Sequence, residues 1–240
     1  MSEVQTPILT VIIPVFNERE TVLELLDRVR SLDLDQEIII VDDGSKDGTT
    51  RLLAEAKSSR PEVRFLFHQT NQGKGAAVRT GLAEARGRYT IIQDADLEYD
   101  PRDFQKLLVP VLEGRARVVF GSRILGPDNT RSYSRYYWGG RFLSWLTNLL
   151  YRSSITDQPT CYKLFETRLL KDFQLTARGF EFCAEVTGKT LRAGLDIHEL
   201  PISYRPRRFE QGKKIKARDG LVAAWVLLRH RFGPPPLIDR

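Results

Sequence analysis

The sequence predicts an α/β fold, a doubly wound and mainly parallel sheet with helices on both faces. Three observations point there. The apolar run at residues 10–16 lacks the alternation of a half-exposed strand, which suits a parallel strand covered on both sides. Strand-like runs alternate with helix-periodic runs from residue 10 to residue 121, as βαβ units do. Polar residues gather just past the strand-like runs: Asn17 and Glu18, Asp42 and Asp43, Asp94 and Asp96, Ser122 and Arg123. In open α/β sheets ligands lie at the carboxyl ends of the strands.

Each element has its own signal. Residues 10–16 form the first strand, and Asn17 is placed to cap the helix expected over 20–32, where Val22, Leu25, Leu26 and Val29 keep helical spacing. Residues 37–41 are the second strand, Asp42-Asp43-Gly44-Ser45 a turn, and Asp47 the opening of another helix. A third strand is expected over 63–67, and residues 71–75 feed a helix that runs through Arg86. The fourth strand, 89–93, ends at Asp94-Ala95-Asp96; Pro101 opens the next helix and 117–121 is the fifth strand. The second half reads as an amphipathic stretch over 136–151, a polar loop to Lys163, a helix near 180–193, a strand over 197–204, a basic loop and a last helix over 219–232. A single domain over 1–232 with a short tail, 233–240, accounts for the chain.

With 240 residues, 41% apolar and 28% charged, the composition is that of an ordinary globular protein. The net charge of +6 permits an anionic partner without identifying one. Cys161 and Cys183 are too few for a disulfide framework and read as reduced, half-buried thiols of a cytosolic protein. No apolar run approaches the roughly 18 residues of a spanning helix. Residues 1–7 lack the basic-then-apolar order of a signal peptide. Any work at a membrane is expected from its cytosolic face.

Asp94 and Asp96 carry the sharpest chemical signal. On an extended strand end, residues two apart point the same way. Paired carboxylates repel unless a cation offsets them, and hard oxygens suit Mg²⁺ or Mn²⁺ when substrate phosphates complete the shell. Glu98 continues the alternation as a candidate third ligand. The bland alternative is a solvated acidic turn ahead of Pro101. Asp42 and Asp43 suit a ribose hydroxyl or a base N–H, or simply a turn. The Asn71-to-Ala76 loop departs from the dinucleotide fingerprint, because Val78 stands where the third glycine belongs. It departs from the triphosphate loop too, because Gly75 follows Lys74. Dehydrogenase and kinase readings fall with those two departures, leaving an anion site at a helix start or close backbone packing. Arg123, Arg131 and Arg135 follow the fifth strand, and residues 205–218 hold seven basic side chains against Glu210. Guanidinium forks match phosphate oxygens, although a charge run also suits a solvated face. No nucleic-acid recognition signature accompanies the charge, so no nucleic-acid partner is expected.

Taken together, these segments resemble family 2 inverting glycosyltransferases, above all the dolichyl-phosphate (polyprenyl-phosphate) mannose and glucose synthases. The resemblance is carried by residues 12–18, Val41-Asp42-Asp43-Gly44-Ser45 with Asp47, Asn71 to Ala76, Asp94 to Leu97 and Gly121-Ser122-Arg123. Gly179 to Glu185, Glu199 to Tyr204 and the Gly212-Lys213-Lys214-Ile215 loop continue it. It implies a GT-A fold, with a nucleotide-sugar-binding half over 1–123 and an acceptor-binding half over 124–232. Pro14, Phe16, Glu18 and Asp43 would hold the nucleoside of GDP-mannose or UDP-glucose. Asp94, Ala95 and Asp96 would handle metal, diphosphate and sugar, with Glu98 where related synthases often carry Gln. Arg208 and Lys214 would lie on a loop closing over the diphosphate, Lys214 assisting catalysis. Arg123, Arg131, Arg135 and Glu185 would meet the acceptor, a polyprenyl phosphate. For a hydroxyl acceptor instead, Asp157 or Glu185 would have to serve as the base.

A lipid acceptor needs a surface. Tyr136, Tyr137, Trp138, Phe142, Leu143, Trp145, Leu146, Leu149 and Leu150 give the 136–151 stretch more apolar surface than a small core needs. Trp225, Leu227 and Leu228 lie beside Arg229 and Arg231. Aromatic residues with flanking cations suit a bilayer interface or a membrane-protein partner, and core packing is the alternative.

Overall fold

The computed structural model describes residues 6–126, 129, 134–207 and 217–236. Seven strands form one sheet in the order β3-β2-β1-β4-β6-β5-β7. The amino-terminal part follows the expected alternation: β1 (Leu9–Val15), α1 (Val22–Arg30), β2 (Gln36–Asp42), α2 (Thr49–Ser59), β3 (Val63–Phe67), α3 (Lys74–Glu84), β4 (Tyr89–Ile92), α4 (Asp103–Leu112) and β5 (Val118–Ser122). β1 pairs in parallel with β2 on one side and β4 on the other, and every residue of β1 is buried. That double burial explains why its sequence reads as an unbroken apolar run. The chain steps outward from β1 to β2 and β3, then returns to the other side of β1 as β4. The strand order therefore reverses between β1 and β4, where α/β sheets open a ligand crevice.

The second half adds α5 (Ser134–Tyr151), β6 (Lys163–Glu166), α6 (Thr167–Asp172), α7 (Phe182–Arg192), β7 (His198–Pro201) and α8 (Ala217–Phe232). β6 was not legible in the sequence. It has only four residues and begins with Lys163, yet it lies between β4 and β5, antiparallel to both. Lys163 is fully buried. Its Nζ donates to the Gln158 carbonyl at 2.7 Å and lies 3.6 Å from the centre of the Phe120 ring. Burial pushes its pKa down to about 8. β7 closes the sheet in parallel with β5.

Asn17 departs from its expected role. Its φ of 51° takes it out of a capping geometry, and α1 starts only at Val22. Instead its N–H donates to Ser45 Oγ and its Oδ1 accepts the Lys46 N–H, each at 2.8 Å. Asn17 thus ties the end of β1 to the turn after β2.

α5, α7 and α8 pack on one another around Leu143, Ala184, Ala223 and Leu227, a small core separate from the main one. Leu227, which the sequence leaves open to either a membrane interface or core packing, is fully buried there. Trp138, Phe142, Trp145 and Leu149 on α5 are each more than half exposed, and so are Leu221, Trp225 and Phe232 on α8. The spacing of 4, 3 and 4 residues puts the α5 four on one face. Among the described residues no helix is long and apolar enough to cross a membrane.

Candidate active site

A cleft of about 1320 Å³ opens at the β1/β4 switch point. Pro14, Phe16, Asp43, Asp94, Asp96 and Arg207 line its polar end; Tyr137, Phe142, Leu143, Leu221 and Ala223 line an apolar end made by α5 and α8. Most ligand pockets measure about 300–1,000 Å³, so this one has room for two substrates side by side.

The turn after β2 divides its two carboxylates between two tasks. Asp42 is fully buried and accepts the hydroxyls of Ser45 and Thr50, each at 2.5 Å, so it builds the turn. Asp43 borders the cleft, where its Oδ1 accepts the Gln72 N–H at 2.9 Å and its Oδ2 the Gly73 N–H at 2.7 Å. His68 Nδ1 lies 2.7 Å from the same Oδ1. Further along, Ala76 N–H donates to the Arg178 carbonyl. A Cβ on Gly73, whose φ is 99°, would meet that carbonyl oxygen at 2.3 Å. These bonds favour the packing reading of the 71–76 loop, because the Gln72, Gly73 and Ala76 amides are already taken.

Lys74, at the start of α3, turns its side chain into the cleft and pairs with Asp94 at 2.5 Å. Burial disfavours its charge, but the Asp94 carboxylate outweighs that and leaves the pKa raised. β4 ends at Ile92, so Asp94 to Glu98 lie in a turn, with Leu97 at a φ of 62°, and strand alternation does not reach Glu98. Glu98 accepts Tyr204 Oη–H at 2.7 Å and the Arg207 N–H at 2.9 Å. The expected set of Asp94, Asp96 and Glu98 is not assembled: among the described residues no three acidic, His or Cys side chains converge as a metal would require. Two carboxylates remain. Burial, with Asp94 and Glu98 nearby, raises the Asp96 pKa to about 7, and Arg207 offsets part of the effect. Asp94 already has Lys74 as counter-ion, while Asp96 is short of positive charge; two such hard oxygen donors fit a divalent cation whose shell is completed by phosphates. Ala95 is buried in the core between them and does not line the cleft.

Glu18 is held by Arg207, whose two terminal nitrogens reach its oxygens at 2.6 and 3.2 Å. Arg207 Nε also donates to the Asp96 carbonyl. One guanidinium thus links the end of β1 to the acidic turn. Arg123, after β5, donates through Nε and Nη2 to Asp157 at 2.8 and 2.7 Å, and its backbone N–H adds a third bond. Burial opposes both charges, yet each ion holds the other: the Arg123 pKa is raised and the Asp157 pKa lowered.

Two expected residues are corrected. Asp157 is 2% exposed and fully engaged by Arg123, so it is no free base. Glu185 lies on α7, 1% exposed and outside the cleft lining. It accepts the N–H groups of Thr176 and Ala177 and pairs with Lys189, so it neither meets an acceptor nor serves as a base. Arg131, Arg208, Lys214 and the Arg135 side chain lie outside the described residues. Sequence reasoning missed Lys74, Arg141 and Gln158 on the cleft wall, and it placed Arg207 only within a charge run. Lys74 did carry a signal, sitting in a singled-out motif whose backbone drew the attention.

Residues 10–173 match glycosyl transferase family 2. A dolichol-phosphate mannosyltransferase of Mycosarcoma maydis is 30% identical over 97% of this chain and 83% of its own length. A UDP-N-acetylglucosamine–dolichyl-phosphate N-acetylglucosaminyltransferase of Methanococcus voltae is 28% identical over 92% of this chain and 95% of its own. Among solved structures, glucosyl-3-phosphoglycerate synthase from Mycobacterium tuberculosis, in complex with Mn²⁺, uridine diphosphate and phosphoglyceric acid, has a TM-score of 0.67 at 21% identity, covering 95% of this chain and 80% of that one. That likeness is one of fold, the GT-A arrangement of sheet and cleft. The family match takes in the ends of β1, β2, β4 and β5 and well over half of the sequence, so the chain belongs to glycosyl transferase family 2 and is a glycosyltransferase.

Proposed function

We propose that the protein transfers a hexose, with inversion, from a nucleoside diphosphate sugar such as GDP-mannose or UDP-glucose to a polyprenyl phosphate at a membrane surface. The observation that carries this reading is the two-ended cleft: the Asp94 and Asp96 carboxylates lie at one end, and the other end is apolar wall from α5 and α8. Phe142 and Leu221 belong both to that wall and to the exposed apolar face outside it. A lipid tail can leave the cleft along such a face without entering water. The polyprenyl-phosphate activities of the relatives agree with it.

The chemistry follows from the acceptor. A phosphate monoester has a second pKa near 6, so at pH 7 it is largely a dianion and needs no side-chain base. That suits a cleft whose nearby carboxylates, Asp157 and Glu185, are both committed to cations and N–H groups. Arg123 and Arg141 stand on the wall to position the incoming phosphate. Asp94 and Asp96 would hold Mg²⁺ or Mn²⁺, which when bound offsets charge on the departing diphosphate. Pro14, Phe16 and Asp43 would face the nucleoside. Arg208 and Lys214 complete the reading as cations over the diphosphate, and Arg131 and Arg135 as further acceptor contacts.

The test is incorporation of labelled hexose from each donor into organic-extractable polyprenyl phosphate sugar, with Mn²⁺ and with EDTA. The reading requires metal-dependent lipid product. Glycosylation of a free saccharide or alcohol, with lipid phosphate ignored, would refute it in favour of a hydroxyl acceptor.

A further inference from the structure

Gln158 borders the cleft and is only 1% exposed. Neither Nε2 nor Oε1 of its amide has a hydrogen-bond partner, and among the described residues no other side chain has two such buried atoms. Buried amides are almost always bonded, and an unpaired one destabilises the protein that carries it. The position is not slack. Its N–H donates to Ser144 Oγ at 3.0 Å, and its carbonyl accepts Lys163 Nζ at 2.7 Å. On one side stands Asp157, locked to Arg123; on the other, Pro159 packs close to Gly140 on α5. The main chain is fixed from both sides, and both amide atoms are buried and unpaired, so a ligand in the cleft meets them when the side chain turns toward it.

We propose that Gln158 determines sugar specificity, its amide binding neighbouring hydroxyls of the transferred hexose. This rests on the nucleotide-sugar reading above. The chemistry of the orphaned pair selects the ligand. A phosphate dianion only accepts hydrogen bonds, so it would satisfy Nε2 and face Oε1 with negative charge. Adjacent pyranose hydroxyls both donate and accept, so they satisfy the two ends at once. For phosphate the same wall offers Arg123 and Arg141. A site built to bond a hydroxyl rejects a sugar that misplaces it far more strongly than an apolar pocket does.

Gln158→Met keeps the volume and removes both polar atoms. The test compares native and variant protein in thermal melts with Mn²⁺, first alone, then with UDP or GDP, then with UDP-glucose, UDP-galactose, GDP-mannose or GDP-glucose. The ligand-free melting temperature should hold or rise, because two orphaned groups are gone; a structural role predicts the opposite. UDP or GDP should shift both proteins equally. The additional shift given by the preferred sugar should appear in the native protein only, and its transfer rate over that of its epimer should fall about tenfold or more in the variant. Gln158→Leu replaces Gln158→Met if the latter does not fold. A variant that keeps the sugar-dependent shift and the epimer preference overturns this inference alone. So does one that loses the UDP or GDP shift as well. A native protein that no nucleotide or nucleotide sugar shifts overturns the donor reading and this inference with it.

Discussion

Replacing Asp157 by Ala tests whether that carboxylate is a clamp or a base. Asp157 is 2% exposed and receives three N–H groups from Arg123, at 2.7, 2.8 and 2.9 Å. Removing it leaves a mostly buried guanidinium, 22% exposed to the cleft, without its counter-ion, which costs up to about 3–5 kcal/mol. For a protein of this size each kcal/mol moves the melting temperature by about 2–4 °C, so the expected loss is up to about 6–20 °C. The measurement is thermal unfolding followed by circular dichroism at pH 7, where Asp157 is fully ionised because Arg123 holds its pKa below the ordinary value. Arg123→Ala and the double variant complete a cycle. If the pair is a unit, the double variant is less destabilised than the two singles predict, by about 2 kcal/mol or more. A change of under about 2 °C in Asp157→Ala, together with abolished turnover, would refute the clamp and restore the base.

Four further outcomes are expected. Asp96→Ala should abolish transfer while the melting temperature holds or rises, since burial beside Asp94 and Glu98 already disfavours its charge; retained turnover, or full activity in EDTA, would remove the metal from this pair. Gly73→Ala should destabilise the protein by about 1–3 kcal/mol, because φ is 99° and the new Cβ would meet the Arg178 carbonyl oxygen at 2.3 Å; denaturant unfolding reads it directly. Acid should unfold the protein as three buried carboxylates protonate: hydrogen bonds to Glu37 and cations beside Asp157 and Glu185 overcome burial and hold all three below their ordinary values. Groups with lowered folded-state pKa stabilise the fold above the unfolded values, about 4, so the share these three give should be intact above about pH 5 and collapse below about pH 4; Asp96, raised to about 7, works the other way, and the stability it gives near pH 4 is lost as the pH rises through about 7. Trp138→Ser with Trp145→Ser should reduce pelleting with anionic liposomes without lowering the melting temperature, since both side chains are more than half exposed; unchanged pelleting would dismiss the α5 face as the contact.

The first half of the fold was legible because its strands are buried on both sides and its helices on one, so the hydrophobic period reports each element directly. β1 is the clearest case, with seven buried residues of which only Thr10 is polar. β6 fails the same test for a physical reason. A four-residue strand has no period to read, and its leading Lys163 is accommodated by contacts that only the folded chain supplies, the Gln158 carbonyl and the Phe120 ring. The 136–151 stretch was legible as a helix, but which of its apolar residues face outward was not. Leu143 is buried and Trp145 exposed, though they lie two residues apart, because α8 covers one side of α5 and nothing among the described residues covers the other.

The site divides along the same line. Residues that act through local geometry could be found: the carboxylates past β2 and β4 stand where any strand end would put them. The distant partners that hold them could not. Asp43 is committed to the amides of Gln72 and Gly73, Asp94 to Lys74, Glu18 to Arg207 and Arg123 to Asp157. Each of those partnerships crosses between elements, and the one between Glu18 and Arg207 spans 189 positions. The acids of the first half thus take their cations from loops and helices whose sequences, read alone, suggest only a basic surface. Pairing also changes what the motif residues are free to do. Asp96 retains the least compensated charge of the group: burial, Asp94 and Glu98 raise its pKa more than Arg207 lowers it, and it is there that an incoming cation gains most. The metal reading therefore rests less on how many carboxylates the acidic turn contains than on which of them the folded chain leaves unneutralised.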